Sequence, residues 1–329
     1  MPRDRAGIFC MDLLDEKYMR MALNLAEKGE GKTSPNPLVG AVVVKNRKIV
    51  GQGYHRAFGL PHAEVNALRD AGTKTRGATL YINLEPCCYF GKTPPCTDAI
   101  AKAGIKRVVC AIFDPNPRVR GKGAKKLKEK GIKVDMGILK KEALRLNEIY
   151  LKFIKTKLPF LILNLTQTLD GKMINHSGDY QNLFPGKTKS ILKNLKSRVD
   201  AVLTQNNLYI YSKSEIGSAR KWKMDNGTRG LISLIKKAGK NNITSILIDG
   251  GKENFTHLLK NELVDKIYYS ISTQIWSEGT EPFGDLGISK ISNSIHLKNP
   301  EINRFADSKN ASHSILIVGY PVRRKQKKD

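Results

Sequence analysis

Two short motifs bring a histidine, two cysteines and a carboxylate into an order that constrains how this chain can fold. The first is His62-Ala63-Glu64, and the second joins Pro86-Cys87 to Cys96. One imidazole and two thiolates leave the fourth position of a tetrahedral zinc ion open for water. Glu64 can then take a proton from that water and deliver it to a leaving amine. The pattern is typical of hydrolytic deamination of a base-like ring.

The alternation of apolar segments predicts an α/β layered domain around these motifs. Predicted strands cover 38–44, 49–53, 78–84, 105–113 and 132–136, and predicted helices cover 15–29, 62–70, 94–102, 123–130 and 140–147. His62 then lies in the first turn of one helix and Cys96 at the start of the next, with Cys87 in the loop between strand and helix. Two helix N-termini favour thiolates and negative charge at the metal.

Cys88 is a competing ligand because it follows Cys87 directly, although Pro86 favours Cys87. Cys10 and Cys110 are expected to lie outside the site, with Cys110 in the core. The chain has five cysteines in 329 residues. That number fits a reducing compartment better than a disulfide framework, so we expect a cytoplasmic protein.

The net charge of +27 raises nucleic acid as a partner, but the distribution of the charge argues against it. Residues 1–150 hold 28 Lys and Arg against 15 Asp and Glu, and residues 151–329 hold 29 against 15. The excess is spread over both halves and is not gathered into one stripe. The apolar stretch at 158–169 is broken by Asn164, Thr166 and Gln167 and is too short to span a membrane. We therefore expect no nucleic-acid or membrane partner.

Residues 12–150 closely resemble the deaminase domain of the bifunctional riboflavin-biosynthesis deaminase/reductase family. The shared text is Pro35-Asn36-Pro37-Leu38-Val39-Gly40, His62-Ala63-Glu64, Leu84-Glu85-Pro86-Cys87, Gly91-Lys92-Thr93-Pro94-Pro95-Cys96 and Asp114-Pro115-Asn116-Pro117. The long spacing between the two thiols differs from the Cys-x-x-Cys turn of tRNA and cytidine deaminases. The resemblance implies a cytidine-deaminase-like three-layer α/β/α domain.

The same resemblance implies a diaminohydroxy-pyrimidinone substrate that carries a ribosylamino phosphate. It makes Glu64 the proton carrier and assigns zinc to three ligands: His62, Cys87 and Cys96. It places six residues in the substrate pocket: Asn36, His55, Lys92, Thr93, Asp114 and Asn116. Asn36 and Asn116 are flanked by prolines, so they can also be turn residues. The family usually has a His two places after the first thiol, where this chain has Tyr89, which carries no positive charge.

The second half resembles the reductase domain of this family less closely, through Thr168-Leu169-Asp170-Gly171-Lys172 and Ile248-Asp249-Gly250-Gly251. A strand followed by Gly-Gly allows a cofactor phosphate to approach backbone amides. The resemblance implies NADPH as the cofactor. The residues expected near it are Asp170, Lys196, Asp249, Gly250 and Gly251.

Several positions in this half depart from the family. Lys196 replaces an Arg and cannot bind phosphate in the same bidentate way, Asp249 replaces a Glu, and Asn182 stands in a stretch where the family has an aromatic residue. After Thr204 the family's Leu-Thr-x-Arg segment has no counterpart, and the chain up to residue 244 is too short for the usual strands. We therefore expect a shortened dihydrofolate-reductase-like α/β domain of doubtful reductase activity.

These observations predict a poorly ordered leader (1–11), a zinc deaminase domain (12–152), a reductase-like domain (153–322) and a basic disordered tail (323–329).

The leading hypothesis is a zinc deaminase of riboflavin synthesis that acts on a phosphorylated pyrimidine. One alternative is a fully bifunctional deaminase and NADPH-dependent reductase. Another is a nucleic-acid base deaminase, which the thiol spacing and the even charge disfavour. A structural zinc site would need a fourth ligand and would leave Glu64 without a role. The sequence leaves assembly into a homo-oligomer open.

Overall fold

The computed structural model describes residues 5–91, 94–173, 184–211, 219–225, 227–307 and 312–323, with the backbone alone for residues 5–12, 219, 307, 312 and 323. The chain divides into two compact units, Met1–Thr156 and Lys157–Asp329. Each unit is built on one β-sheet. Among the described helices, none combines the length and the apolar character that crossing a membrane requires.

The first unit contains a five-stranded sheet in the order β2-β1-β3-β4-β5. Its strands are β1 (Gly40–Lys45), β2 (Lys48–Tyr54), β3 (Thr79–Leu84), β4 (Arg107–Ile112) and β5 (Lys133–Met136). Strands β1 and β2 form an antiparallel hairpin, while β3, β4 and β5 are parallel. Strands β3 and β4 are buried over five of their six residues, as expected of central strands covered on both faces.

Helices cover both faces of this sheet. They are α1 (Arg5–Glu27), α2 (Ala63–Ala71), α3 (Cys96–Lys102), α4 (Lys122–Glu129), α5 (Lys140–Leu146) and α6 (Glu148–Thr156). Side chains of α2, α3 and α4 share one core cluster with the sheet, and those of α1, α5 and α6 share a second. The two clusters take alternating strand residues such as Val42 and Val43. The three-layer α/β/α architecture that the sequence predicts is confirmed.

Helix α1 begins earlier than the sequence predicts. The apolar spacing indicated a helix from residue 15 after an irregular leader, whereas α1 starts at Arg5. Periodicity detects an apolar face and not the helical backbone itself, so it missed this part of the helix. Elongation of an existing helix adds one hydrogen bond for each residue that is fixed, which favours continuing through residues such as Ala6 and Met11.

The second unit contains an eight-stranded sheet in the order β12-β13-β11-β6-β10-β7-β8-β9. Its strands are β6 (Phe160–Gln167), β7 (Ala201–Leu203), β8 (Asn207–Tyr211), β9 (Ala219–Lys223), β10 (Ser245–Asp249), β11 (Lys266–Ser272), β12 (Ile295–Asp307) and β13 (Ser312–Arg323). The central strands β11, β6, β10 and β7 are parallel, and the outer ones are antiparallel. This α/β sheet agrees with the predicted fold class.

Helices α7 (Gly186–Arg198), α8 (Gly227–Lys240) and α9 (Lys252–Lys260) accompany this sheet. The segment 205–244 does contain strands, namely β8 and β9, so the expectation that it is too short for them is wrong. Strand β8 is only five residues long, and basic residues interrupt the apolar pattern of β9, so periodicity gave no clear signal for either strand. Strand β13 ends at Arg323, and most of the predicted tail lies outside the described residues.

Candidate metal centre and active site

The three predicted zinc ligands lie close together in the first unit. The ligand atoms of His62, Cys87 and Cys96 all lie within 4.8 Å of one another. His62 Nδ1 is 3.2 Å from Cys96 Sγ and 3.7 Å from Cys87 Sγ. A tetrahedral zinc ion with ordinary bond lengths separates nitrogen and sulfur ligands by about 3.6 Å. The donor set and its spacing therefore fit a zinc ion with three protein ligands.

The local fold explains why residues far apart in sequence meet here. His62 is the N-cap residue of α2, and Cys96 is the first residue of α3. Cys87 lies three residues after β3, in the turn that leads toward α3. Its sulfur accepts a hydrogen bond from the Cys96 backbone N–H at 3.3 Å, and its carbonyl oxygen accepts one from Thr97 N–H at 3.1 Å. The turn after β3 is therefore tied directly to the start of α3.

The electrostatics of the pair of thiols favour a thiolate at Cys87. A hydrogen bond from the Cys96 thiol is the largest influence on Cys87, burial opposes it, and a hydrogen bond from His62 adds to it. Together these contacts hold the pKa of Cys87 well below its ordinary value. The same hydrogen bond and burial raise the pKa of Cys96. When two thiols lie this close, repulsion between the two thiolates keeps one of them protonated unless a cation lies beside them. A divalent metal ion supplies that positive charge.

Glu64 lies in the first turn of α2, two residues after His62, and its side chain is buried at 3% exposure. Burial, followed by the charge of Cys87, raises the pKa of Glu64 to about 7. A carboxyl group with a pKa near neutrality can accept and return a proton, which is the requirement for general acid–base catalysis. The proton-carrying role of Glu64 stays a prediction from the sequence.

The remaining cysteines lie outside the metal cluster in the described part of the chain. Cys88 directs its sulfur toward the carbonyl oxygen of Arg118, 3.7 Å away. Cys110 is fully buried in the core of strand β4. The side chain of Cys10 lies outside the described residues. Of the competing thiols, the structure therefore places Cys87 and not Cys88 with His62.

Asn36 and His55 adjoin the metal cluster. Asn36 Nδ2 lies 3.1 Å from His55 Nε2, and His55 Nδ1 lies 3.3 Å from the carbonyl oxygen of Pro61. A carbonyl oxygen can only accept, so His55 donates through Nδ1 and accepts from Asn36 through Nε2. The His55 ring meets His62 edge to face at a centroid distance of 5.4 Å. Burial, the largest influence on His55, lowers its pKa and so favours the neutral ring that these hydrogen bonds require.

Asp114 and Asn116 form a tight turn on the next loop. Asp114 Oδ1 accepts the backbone N–H of Asn116 at 2.8 Å and the hydroxyl of Tyr150 at 2.9 Å. Asp114 is 6% exposed, and burial raises its pKa to about 6. Its carboxylate therefore fixes the turn that carries Asn116. The other two predicted pocket residues, Lys92 and Thr93, lie outside the described residues.

In the second unit, four of the five residues predicted to bind cofactor lie together at the carboxyl end of β10. Asp249 Oδ2 pairs with Lys196 Nζ at 2.5 Å, and Asp249 Oδ1 accepts a hydrogen bond from Asn164 Nδ2 at 2.8 Å. Asp249 is 5% exposed, and Gly250 and Gly251 follow it with φ angles of +108° and +92°. Asn164 is a participant that the sequence analysis missed, because no motif marks it.

Asp170 lies on a neighbouring loop of this unit and has a different set of partners. Its carboxylate accepts the backbone N–H groups of Trp276 at 3.2 Å and Ser277 at 2.8 Å. A hydrogen bond from Thr168, with these backbone groups, lowers the pKa of Asp170 to about 2. The carboxylate therefore fastens two loops to each other, and no described contact joins it to Asp249. Asn182 lies outside the described residues.

Comparison with known proteins identifies the family. Residues 13–112 match the model of the cytidine and deoxycytidylate deaminase zinc-binding region. The chain is 37% identical over 345 residues to the riboflavin biosynthesis protein RibD of Aquifex aeolicus (strain VF5), with 89% of this chain and 96% of the relative covered. The chain belongs to the RibD family. The family resemblance that the motifs predict is thereby confirmed.

Two further relatives extend the match to each part of the RibD chain. The diaminohydroxyphosphoribosylamino-pyrimidine deaminase of Buchnera aphidicola subsp. Schizaphis graminum (strain Sg) is 52% identical over 145 residues, covering 44% of this chain and 99% of that protein. A crystal structure from Thermotoga maritima, a diaminohydroxyphosphoribosylaminopyrimidine deaminase/5-amino-6-(5-phosphoribosylamino)uracil reductase, is 30% identical with a TM-score of 0.77. That alignment covers 95% of this chain and 100% of the Thermotoga chain, so the second unit also has the RibD fold.

Glu85 is a buried carboxylate of this RibD chain that the sequence analysis quoted but gave no role. Its side chain accepts three backbone N–H groups, from Asp114 at 3.3 Å, Gly121 at 3.0 Å and Ala124 at 2.9 Å. It thereby satisfies the N-terminus of α4. A Cβ at Gly123 would lie 2.3 Å from the carbonyl oxygen of Pro86, so only glycine permits this approach. Glu85 therefore ties the turn after β3 that carries Cys87, named here the metal-site turn, to the loop that carries Asn116.

Two asparagines hold the loop that carries Asn36, and the sequence gave no signal for either. Asn147 accepts the N–H of Leu38 at 2.8 Å and donates to its carbonyl oxygen at 3.0 Å. Asn83 accepts the N–H of Gly40 at 2.9 Å and donates to the same Leu38 oxygen at 2.9 Å. Both side chains are buried, at 2% and 0% exposure. The loop that carries Asn36 in this RibD chain is therefore held through Leu38 by a residue 109 positions further along.

Proposed function

We propose that the first unit catalyses the zinc-dependent hydrolytic deamination of diaminohydroxyphosphoribosylaminopyrimidine in riboflavin biosynthesis. The observation that carries this proposal is the convergence of His62, Cys87 and Cys96 within 4.8 Å, with the buried Glu64 beside them. The printed names of the Buchnera and Thermotoga relatives support the substrate. The match to a deaminase zinc-binding region supports the metal.

In this proposal His62, Cys87 and Cys96 hold the metal and Glu64 moves protons. Zinc, when bound, lowers the pKa of a coordinated water so that it is a nucleophile near neutral pH. The water oxygen would bond to the ring carbon that bears the amine. Glu64 would move one water proton to the adjacent ring nitrogen and the other to the departing amine, so that the carbon–nitrogen bond breaks, ammonia leaves and a ring carbonyl remains.

In this proposal, polar residues around the metal cluster orient the substrate. Asn36 and the neutral His55 are placed beside His62 and can hydrogen-bond the edge of a pyrimidine ring. Asp114 accepts the backbone N–H of Asn116 and so fixes the turn that carries Asn116. The family resemblance adds Lys92 and Thr93. The substrate is a small phosphorylated molecule, and neither half of the chain gathers its basic residues into a nucleic-acid stripe.

For the second unit we propose a reductase-like domain with weak or absent NADPH-dependent activity. Lys196 is engaged by Asp249 at 2.5 Å, so its charge is already balanced within the protein. Lysine also lacks the planar fork with which arginine binds phosphate. Full bifunctionality is the second candidate, and it is favoured by the alignment over the whole length of the Thermotoga deaminase/reductase.

One experiment separates these functions. Purified, zinc-loaded protein is given the pyrimidine phosphate with and without NADPH, and ammonia release and NADPH oxidation are read separately. We expect ammonia release in both samples and its loss after zinc is removed by a chelator. Protein that retains zinc and releases no ammonia would refute the deaminase proposal.

A further inference from the structure

The loop 114–121, which faces the metal-site turn, is fixed by a series of hydrogen bonds. Glu85 accepts N–H groups at both ends of the loop, from Asp114 and Gly121. Within the loop, Asp114 Oδ1 accepts the N–H of Asn116 at 2.8 Å, and Asn116 Oδ1 accepts the N–H of Arg118 at 3.1 Å. The backbone of Arg118 is therefore held in place relative to the turn that carries Cys87.

Tyr89 joins this loop to the metal-site turn. It lies two residues after Cys87, is half-buried, and its hydroxyl is in hydrogen-bond contact with the side chain of Asn116. The guanidinium carbon of Arg118 lies 6.0 Å from the centroid of the Tyr89 ring. An arginine at this distance is attracted to the face of the ring, which restrains the plane of the guanidinium.

The positive charge of Arg118 faces solvent beside the candidate active site. Arg118 is exposed, and none of the described carboxylates lies within ion-pair distance of it. The neighbouring cations have other partners, since Lys122 Nζ donates to the carbonyl oxygen of Pro117 and Lys126 pairs with Asp98 at 3.0 Å. A guanidinium that is held over a ring and has no described carboxylate partner is suited to bind an anion.

We propose that Arg118, held over Tyr89, binds the phosphate of the substrate of the deaminase unit. This inference rests on the proposed function, because it needs a substrate whose pyrimidine ring lies at the metal cluster and whose phosphate lies on the ribosylamino arm. Tyr89 lies two residues after Cys87, and Arg118 is exposed on the loop that Glu85 ties to the same turn. Arginine binds phosphate through two parallel N–H groups, which gives geometric selectivity as well as charge.

The test compares Arg118→Gln with Arg120→Gln, a matched control on the same exposed loop. Each zinc-loaded variant is assayed with the phosphorylated pyrimidine and with its dephosphorylated form. A lost charge-assisted phosphate contact reduces the ratio of the two kcat/KM values by about 10- to 100-fold. We expect this fall in Arg118→Gln, a partial fall in Arg118→Lys and no change in Arg120→Gln. Equal ratios in wild type and Arg118→Gln would overturn the proposal.

A binding measurement keeps this inference separate from the deaminase assignment. Inorganic phosphate is titrated into the zinc-loaded wild type, Arg118→Gln and Arg120→Gln proteins by calorimetry. We expect binding in wild type and Arg120→Gln that weakens by about 10-fold or more in Arg118→Gln. Phosphate that binds all three proteins equally would place the anion site elsewhere, whatever the outcome of the ammonia assay. Absence of ammonia release with intact phosphate discrimination would instead refute only the deamination chemistry.

Discussion

At the scale of single residues, the backbone position of Glu64 and the burial of its side chain both bear on its chemistry. The backbone places it in the first turn of α2, two residues from His62. The surroundings exclude water from its side chain, which is 3% exposed. Since three other residues supply the candidate metal ligands, the carboxylate is available to carry protons. Metal retention and turnover should therefore respond differently to its replacement.

We predict that Glu64→Gln keeps zinc and loses activity. Glutamine preserves the shape of the side chain and cannot exchange a proton, so turnover should fall by about 10²- to 10⁴-fold. Mass-spectrometric metal analysis beside an ammonia assay measures both properties on one sample. Full zinc content with near-normal ammonia release would contradict the role assigned to Glu64.

The two adjacent thiols should differ in their effect on metal content. Cys87 Sγ lies 3.7 Å from His62 Nδ1, whereas the Cys88 sulfur is directed at the carbonyl oxygen of Arg118. We predict that Cys87→Ser and Cys96→Ser lose zinc and activity, while Cys88→Ser, the matched control, retains zinc and most activity. Zinc content after dialysis decides the point. Loss of zinc from Cys88→Ser alone would show that the ligand is the other thiol.

At the scale of elements, one ion pair fastens helix α1 to the sheet. Arg107, the first residue of β4, donates to both carboxylate oxygens of Asp15, at 2.9 and 2.6 Å, and through Nε to Asp135 at 2.6 Å. Tyr81 donates to the same Asp15 at 2.6 Å. Burial by itself raises the pKa of Asp15, but the hydrogen bonds from Arg107 and Tyr81 outweigh it and bring the pKa below its ordinary value of 3.8.

This pair predicts an acid-sensitive attachment of α1. A carboxyl group whose pKa is lowered by folding stabilises the folded state above its unfolded pKa, and this stabilisation is lost as the pH falls through the folded pKa. Asp15→Asn should therefore reduce hydrogen-exchange protection of α1 and β4 at pH 6, and the difference from wild type should shrink below pH 4. Glu129→Gln, which breaks only the exposed pair with Lys125, serves as control. An equal difference at pH 6 and pH 3 would contradict this origin.

The elements and the metal cluster could be predicted from the sequence because their signals are local. Apolar periodicity marks a strand, and His62, Cys87 and Cys96 each stand in a recognisable motif. The residues that orient the pocket gave no such signal. Asn147 reaches Leu38 across 109 positions, and Tyr150 reaches Asp114 across 36, so only the folded chain brings them together. Their polar side chains look, in sequence, like ordinary helix residues.

At the scale of the whole molecule, the two units carry separate candidate sites. The first unit matches the Buchnera deaminase over 99% of that relative, so that protein has no counterpart of the second unit. The second unit has the RibD fold but differs from the family pattern at positions that the resemblance assigns to the cofactor. Its activity can therefore be low while ammonia release is normal.

We predict weak or undetectable NADPH-dependent reduction of the deaminated product. The Leu-Thr-x-Arg segment is missing, Asn182 replaces an aromatic residue, and Lys196 is paired with Asp249 at 2.5 Å. A lost contact typically costs about 1–3 kcal/mol and roughly 1.4 kcal/mol is tenfold, so three losses can reduce efficiency by several orders of magnitude. Other lysines of this unit can reduce the deficit, since such effects are not strictly additive.

Calorimetric titration of NADPH and its absorbance in the presence of the deaminated product test this prediction. Ammonia release from the same sample is the internal control, because it reports a folded first unit independently of the cofactor. We expect intact ammonia release with NADPH binding weaker than micromolar and no steady oxidation. Asp249 would then hold Lys196 as a structural ion pair, and Gly250 and Gly251 would only start α9. Micromolar binding with steady oxidation would overturn the prediction, because the pair would then have to open or rearrange to admit the cofactor phosphate.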